Sequence, residues 1–455
     1  MRKIYTYTLI ILSLITLWST KLMAQYDLGF YSMRAVPQTN LLNPAFIPDY
    51  KFHFGAPTIS STYTGFGTSG PKYDEILMIT PGDSLGLNTN GILNNLESNN
   101  NVINRNTNQW LYGGMKWNDF YFSASASDIT DVNVLYSDKI IQLALKGNSQ
   151  FIGETIDLDP LDIKALHYRE YALGVAWDVN EKLNIGIKTK ALFGKSAIYT
   201  ENVDLELSTS EKYYNLGIKS NFVINTSLPD FMGDSAINWV EYMQSDANFG
   251  LGFDIGATYK LNRLWNLSAS ILDIGYINYD RYLKTYTSNT EFTYKGIDAT
   301  QFIGLDDEQI EDKMTEITDS LINLFDITES SEVFRVPLTA KIYLGVDYQF
   351  SDKETLGVLF RFEVFKNTVQ PSFTASYYRD LGDNFKVSAS YTIINHNYLN
   401  FGLGIIANFN PLQVYIATDN IIGVISPHTV NYGNIRFGIN FIFQKDYKKL
   451  PMIEL

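Results

Sequence analysis

The chain has no cysteine among its 455 residues and only four histidines. Without thiols it has no disulfide, no thiolate nucleophile and no thiolate metal site. His53, His167, His396 and His428 are scattered and lack the spacing of metal ligands. Neither a Gly-x-Ser-x-Gly elbow nor a Walker or dinucleotide glycine motif occurs. We therefore expect no catalytic residues, no cofactor and no metal, and an enzyme is the least favoured class of function.

The chain is also poor in charge, and basic residues are the scarcer kind. Charged residues make up 18%, below the roughly 25% usual for soluble domains. The net charge of −14 argues against nucleic-acid binding, which needs a basic surface. With 31 tyrosines, 28 phenylalanines and a mean hydropathy of −0.09, the composition is typical of outer-membrane barrels.

A long apolar run is missing as well. Arg2 and Lys3 precede the apolar run Leu9–Trp18, which is shorter than the roughly 20 residues that cross a bilayer as a helix. Ala24 is a suitable small residue for cleavage, so residues 1–24 are predicted to be a signal peptide rather than a membrane anchor. After Gln25 no run of 18 apolar residues occurs, and secretion through Sec to the outer membrane is the predicted route.

Strict alternation of apolar and polar residues is the main positive signal. In Asn248–Leu261 the residues on one face are apolar, and those on the other face are glycine or polar. Successive strand side chains point to opposite faces, so this segment predicts a strand between lipid and a wet lumen. Fourteen such segments follow one another between Phe52 and Phe443, with short turns and long connections in alternation. An even number suits a closed antiparallel barrel, with the long connections outside the cell.

We therefore predict an all-β protein, a transmembrane antiparallel β-barrel of about fourteen strands over residues 51–443, followed by a periplasmic tail over 444–455. The outer connections should contain short helices at Ser137–Gly147 and Asp306–Phe325, with a third at Ser235–Met243, and Lys195–Asp246 should contain an extra hairpin. The asparagine-rich run Asn88–Asn108 is expected to be a loop.

Charges of both signs fall on the inward-facing positions of the predicted strands. The candidate lumen-facing residues are Asp254, Lys260, Lys341, Asp347, Arg361, Glu363 and Arg436. Either they pair across strands and fill the interior, or they line a solute path. A fourteen-stranded barrel is wider than the eight-stranded kind that side chains alone can fill, so a plug or water must occupy it.

The segment 25–50 is the candidate plug. Its three prolines, Pro37, Pro44 and Pro48, remove backbone donors, so it is neither helix nor ladder strand. Asn43-Pro44-Ala45, followed by Phe46, resembles the hatch motif of the FadL/TodX family of long-chain fatty-acid and hydrocarbon transporters. That resemblance implies a fourteen-stranded barrel with an N-terminal hatch in its lumen. Polar groups of Arg361, Glu363, Lys341 and Asp347 are expected to hold this hatch.

A wider resemblance covers nearly the whole mature chain. The segments Met33–Phe46, Ser268–Gly275 and Leu412–Ile421 are similar to an uncharacterised outer-membrane family of Bacteroidetes. The layout also resembles the PorV-like barrels of type IX secretion. The FadL/TodX family has a kink in its third strand, and the sequence of the third strand here shows no sign of such a kink.

These resemblances imply uptake or handling of hydrophobic small molecules by passive transport, with a hydrophobic ligand and the outer-membrane bilayer as partners. The alternative is a scaffold barrel that binds a protein of a surface or secretion complex. Both functions need the same barrel.

Overall fold

The computed structural model describes residues 27–80, 84–229, 242, 247–295, 306–366, 368–382, 384–394 and 397–445. The predicted signal peptide and residues 446–455 of the predicted tail lie outside these ranges. So does the predicted helix Ser235–Met243, apart from Tyr242, which is helical.

Antiparallel strands make up most of the described chain. They are β1 (Tyr50–Gly55), β2 (Ser61–Thr68), β3 (Leu77–Thr80), β4 (Ser84–Leu87), β5 (Asn99–Trp117), β6 (Phe120–Ser137), β7 (Thr155–Asp157), β8 (Leu161–Asp178), β9 (Leu183–Thr209), β10 (Leu216–Ser227), β11 (Phe249–Lys260), β12 (Trp265–Tyr279), β13 (Leu283–Tyr294), β14 (Thr328–Ser330), β15 (Phe334–Pro337), β16 (Ala340–Ser351), β17 (Glu354–Phe365), β18 (Thr368–Asp380), β19 (Phe385–Ile394), β20 (Asn397–Phe409), β21 (Leu412–Thr418) and β22 (Tyr432–Lys445).

Helices are few in the described part of the chain. The α-helices are α1 (Tyr73–Ile76), α2 (Thr89–Asn94), α3 (Asp138–Lys146), α4 (Asp307–Leu324) and α5 (Ile421–Ile425), and 3₁₀ turns span Phe30–Ser32, Pro37–Leu41, Asn148–Phe151 and Pro427–Thr429. Helices α3 and α4 agree with the predicted helices Ser137–Gly147 and Asp306–Phe325. No described helix combines the length and the apolar character needed to cross a membrane.

The sheet closes on itself as a fourteen-stranded antiparallel barrel, as predicted. β22 pairs with both β1 and β2, which together form the first barrel strand, and these pair in turn with β5. β15 and β16 likewise form one barrel strand beside β12. The remaining barrel strands are β5, β6, β8, β9, β11, β12 and β17 to β22, one element each.

The wall has the two faces that alternation predicts. On β11, Phe249, Leu251, Phe253 and Ile255 are exposed, between 41% and 52%, whereas Asp254 is fully buried. Large exposed apolar side chains recur around the outside of the barrel, including Trp117, Trp177 and Trp265 beside the short turns. Such a belt is unfavourable in water and favourable in lipid, so the outer face is the membrane face.

On the side of the long connections the strands extend far beyond the length a membrane requires. β9 has 27 residues, against about ten needed to cross a bilayer. Its outer half pairs with β10 and β7, and β10 pairs with β13, which confirms the predicted extra hairpin. The prediction of a loop at Asn88–Asn108 is wrong: α2 covers Thr89–Asn94 and β5 begins at Asn99, because backbone pairing with β6 outweighs the low strand propensity of asparagine.

Two wall strands are interrupted within the described ranges, and neither is the third. Residues 56–60 separate β1 from β2, with Thr58 at φ +69°. Leu338 and Thr339 separate β15 from β16. The third barrel strand, β6, pairs with β8 over its whole shared length without a register shift.

Candidate functional site in the lumen

The segment 27–50, which we call the hatch, lies inside the barrel. Its apolar side chains share one buried cluster with inward-facing wall residues. The cluster contains Leu28, Phe30, Tyr31, Met33, Val36, Leu42 and Phe46 of the hatch and Leu272, Tyr343, Leu359, Ile394, Ile406, Tyr415 and Ala417 of the wall. The rings of Phe30 and Tyr415 stack at 5.5 Å between centroids, and those of Tyr31 and Tyr343 at 5.6 Å. The hatch therefore packs against the wall like a small hydrophobic core.

Glycines of β9 and β11 make room for the Asn-Pro-Ala motif. A Cβ added at Gly186 would overlap the carbonyl of Pro44 and lie 2.6 Å from the backbone nitrogen of Ala45. A Cβ added at Gly256 would overlap Asn43 Oδ1 and lie 2.9 Å from Pro44 Cδ. These two glycines are direct partners in the β9–β11 ladder, so they form one flat seat for the motif. This is the use of the glycine-lined face that alternation predicted in Asn248–Leu261.

Asn43 locks the motif to that seat. Its amide nitrogen Nδ2 donates to the carbonyl oxygens of Ala269 at 3.1 Å and Ala257 at 3.4 Å. Its oxygen Oδ1 accepts from the backbone N–H of Ala45 at 2.9 Å. The backbone N–H of Phe46 donates to the Asn43 carbonyl at 2.9 Å. One asparagine thus satisfies groups of both wall and hatch in a segment that has no ladder of its own.

Charged groups anchor the hatch near its start and at Arg34. Near its start, Asp419 accepts hydrogen bonds from the backbone N–H groups of Gly29 at 2.7 Å and Leu28 at 3.0 Å. Asp27 forms an ion pair with Arg436 at 2.5 Å. On the short-turn side, Arg34 pairs with Asp347 at 3.1 Å.

Neutral side chains complete the attachment along its length. Gln38 and Asn440 exchange side-chain hydrogen bonds of 2.5 and 2.9 Å. Ser32 Oγ lies 3.0 Å from Ser388 Oγ. Every one of these attachments is non-covalent, so the hatch can leave its seat without breaking a covalent bond.

Of the four predicted holders of the hatch, Asp347 bonds to it, through Arg34. The other three bond to residues of the wall. Arg361 and Glu363 pair with each other, and Glu363 also accepts from Arg105 at 3.2 Å. Lys341 pairs with Asp273 across the wall. The Lys341–Asp273 pair joins neighbouring strands, whereas Glu363 on β17 reaches Arg105 on β5 across the lumen.

Lys260 lies apart from the other candidates. It is exposed at the short-turn end of β11, whereas Asp254, Arg361, Glu363 and Arg436 are buried in the lumen. Its inward parity is therefore not enough to place it at the site, because its side chain is exposed at the end of the strand.

A cavity of about 120 Å³ lies on the long-loop side of the hatch. Leu41 and Leu42 of the hatch line it together with wall residues. The charged lining residues are the cations Arg105, Lys188, Lys190, Lys341 and Arg436 and the anions Asp27, Asp131, Glu170, Asp254 and Asp273, and the others are Tyr63, Thr107, Ser127, Ile129, Tyr168, Leu272 and Tyr343. Five charges of each sign therefore surround this space.

Most of these charges form ion pairs with charges on other strands inside the lumen. Lys190 Nζ lies 2.8 Å from Asp254, 2.5 Å from Asp273 and 3.6 Å from Glu170. Arg105 pairs with Asp131 at 2.6 Å. Breaking such a buried pair costs about 3–5 kcal/mol, because it leaves a charge in a poorly solvated place. The first of the two interpretations of the lumen charges, pairing across strands, accounts for these residues.

Sequence reasoning missed several residues of this site for identifiable reasons. Asp273 is two residues after the outward-facing Ile271, so alternation predicts that it also faces outward. The register between β11 and β12 shifts between Phe253 and Ile255, and Asp273 turns inward there at φ +59°. Arg105 lies in the segment Asn88–Asn108 that was predicted to be a loop, and Asp131 is its direct partner on the extension of β6. No pattern in the sequence pointed to Asp27.

The fold and the filled lumen define a class: a transmembrane β-barrel whose lumen is closed by an N-terminal hatch. The chain belongs to the family of unknown function DUF5723, whose sequence profile matches residues 44–419. No curated protein matches it significantly.

Solved structures with a similar outline exist. A Pseudomonas aeruginosa FadL homologue has 11% identity and a TM-score of 0.46, covering 94% of this chain and 100% of that one. The Pseudomonas putida toluene transporter TodX has 10% identity and a TM-score of 0.44, with 94% and 100% covered. TM-scores below 0.5 at this identity carry no conclusion about the activity of the present chain.

Proposed function

We propose that this protein is an outer-membrane barrel that takes up small molecules passively through a lumen gated by the hatch. The observation that carries the proposal is the combination of a hatch seated without covalent bonds and a cavity directly on its long-loop side. A purely structural plug would not need a cavity against it. Movement of the hatch would connect this cavity to the short-turn side.

The sequence predicted a hydrophobic solute, and part of the cavity supports contact with an apolar group. Leu42, Leu272 and the ring of Tyr168 contribute to the lining. Ten charged side chains line the same space, so a purely apolar molecule would meet surfaces that it cannot solvate. We therefore extend the proposal to amphipathic solutes, which have an apolar part and charged groups.

A scaffold is the second candidate function, and one observation favours it. The sheet formed by the outer half of β9 with β10, β13, β7 and β14 extends beyond the length that a membrane requires. Helix α4 connects to this sheet through Phe325, whose ring packs on Phe292 at 5.2 Å. Such an extension offers a surface to a protein of a surface or secretion complex, as the PorV-like resemblance implies.

A reversible crosslink of the hatch tests transport against scaffolding. The chain has no cysteine, so the double variant Ser32→Cys/Ser388→Cys introduces a single pair, at side chains whose oxygens are 3.0 Å apart. Ser220→Cys/Ser288→Cys is the matched control, since those oxygens are 2.6 Å apart in the outer sheet, away from the hatch. Both proteins are reconstituted in liposomes, and solute flux is measured before and after reduction.

A gated channel predicts that oxidation of the hatch pair lowers flux and that reduction restores it, while the control pair has no effect. Equal flux in all four states would contradict transport through the lumen. A scaffold predicts instead that a co-purified partner is lost when the outer sheet is altered and retained when the hatch is locked.

A further inference from the structure

Two neighbouring charges on the cavity wall differ from the rest in their pairing. Lys188 on β9 and Asp254 on β11 are direct partners in the β9–β11 ladder. Both line the cavity, and they are 2% and 0% exposed. They stand two residues along the ladder from the Gly186–Gly256 seat, on the same inward face, at the junction of hatch and cavity.

Lys188 is a buried cation without an acid partner within 4.0 Å among the described residues. Its ammonium has one described hydrogen bond, to the carbonyl oxygen of Asn40 in the hatch at 3.2 Å. Lys190, two residues along the same strand, has three carboxylates within that distance. Since an ammonium has three donors, Lys188 has capacity for a further acceptor.

Asp254 shows the complementary feature. Its Oδ1 accepts from Lys190 Nζ at 2.8 Å and from the backbone N–H of Asp273 at 2.8 Å. Its Oδ2 is buried and has no hydrogen-bond partner in the part of the chain that the structure describes. A buried acceptor of a charged group is costly to leave unpaired, so it is a ready site for a donor.

We propose that Lys188 and Asp254 bind a small zwitterion of the α-amino-acid class, whose carboxylate contacts Lys188 and whose ammonium contacts Asp254 Oδ2. The balance of charge supports a zwitterion: the lining has five cations and five anions, and a solute with a net charge would upset it. The volume of about 120 Å³ is several times the roughly 10–15 Å³ that one water needs by the same measure, so the cavity has room for a small solute. Leu42 and Leu272 are placed to contact its apolar side chain.

Binding at this site would also act on the hatch, and in this respect the inference rests on the proposed function. Lys188 has donors for both acceptors, so its ammonium can bind the carboxylate of the solute and the Asn40 carbonyl of the hatch together. A bound solute would then bridge the wall and the hatch at the point where they meet the cavity.

The test is binding of three probes to the full-length protein in detergent, measured by calorimetry. Leucine is the zwitterion, 4-methylpentanoate has the same apolar part without the ammonium, and 3-methylbutylamine has it without the carboxylate. We expect leucine to bind, and each singly charged probe to bind more weakly by about tenfold or more, which corresponds to 1.4 kcal/mol.

Variants assign the contacts. Lys188→Met and Asp254→Asn should each weaken leucine binding by about tenfold or more, and Lys188→Arg should retain most of it because the cation is kept. Lys260→Met is the matched control, since Lys260 lies exposed at the end of β11, and it should bind leucine as the parent does. Variants are compared only where the barrel shows the heat-modifiable gel mobility of a folded barrel.

Three outcomes would overturn the inference: no leucine binding, equal binding of all three probes, or parental binding by Lys188→Met. These outcomes differ from a failure of the proposed function. If leucine does not bind but the Ser32–Ser388 crosslink controls flux, the solute class is wrong and the channel stands. If leucine binds while the crosslink changes no flux, the binding site stands and transport is wrong.

Discussion

The substitution Gly186→Ala tests whether the hatch is a separate element that can leave its seat. The added methyl group would overlap the backbone of Pro44 and Ala45, which is not the flexible end of a side chain. Gly186 is held on both sides by ladders, to Gly256 in β11 and to Ala176 in β8. The wall therefore stays in place and the hatch has to move.

The size of the effect follows from the overlap. Inserting a methyl group into a packed site costs about 1–3 kcal/mol. If this cost falls on the seated state alone, the ratio of open to seated hatch rises about fivefold to 150-fold, since 1.4 kcal/mol is a factor of ten. Unfolding of the barrel itself should change little.

The assay uses the absence of native cysteine. Ala45→Cys places one thiol in the hatch at a position that is fully buried. Its rate of labelling by a charged thiol reagent reports how often the hatch leaves its seat. Adding Gly186→Ala should raise this rate by the factor above. Adding Gly113→Ala should not, because the nearest atom to a Cβ there is the carbonyl oxygen of His53 at an ordinary 3.6 Å.

Two results would refute this reasoning. If Gly186→Ala and Gly113→Ala label at the same rate, the hatch absorbs the methyl group in place and does not leave its seat. If Gly186→Ala instead loses the heat-modifiable mobility of the folded barrel, hatch and wall are one cooperative unit.

Three further predictions concern the wall, the anchor and the outer loop. Phe253→Asp should impair assembly, judged by heat-modifiable mobility, because a lipid-facing charge costs up to a few kcal/mol. Alternation alone would tolerate Asp254→Phe, but this change should also destabilise the barrel because it breaks a buried ion pair. Arg436→Met should leave Asp27 buried and unpaired, cost about 3–5 kcal/mol, and speed hatch labelling. Burial, and to a smaller extent the neighbouring aspartates, raise the pKa of Asp159 from 3.8 to about 6. The folded loop therefore binds the proton more tightly than the unfolded chain does, and its stability should fall as the pH rises from about 4 through 6. Asp159→Asn should abolish this pH dependence, as measured by hydrogen exchange of the loop.

Local sequence patterns were enough to predict the wall. Period-two alternation and short turns depend on residues next to each other in the chain, and they predicted fourteen strands and their outward faces. Helical periodicity and helix caps, which are equally local, predicted helices α3 and α4. The Asn43-Pro44-Ala45 motif and the nearby prolines likewise marked the segment that occupies the lumen, because a proline-rich segment cannot join a ladder.

The contacts within the lumen were decided by the tertiary structure alone. Gly186 and Gly256 receive the motif because two strands distant in sequence from the hatch meet there, and no local pattern records that meeting. Asp273 points inward because of a bulge, which reverses the parity that alternation assigns.

Pairing of charges was decided in the same way. Parity placed Lys341, Arg361 and Glu363 on the inner face, but which partner each one takes depends on the stagger of strands around the barrel. Lys188 has no acid within 4.0 Å in the described part of the chain, and this depends on the closed ring as a whole. The sequence by itself thus determined a membrane barrel with a segment inside it, and the tertiary structure decided which groups hold that segment and which are left to bind a solute.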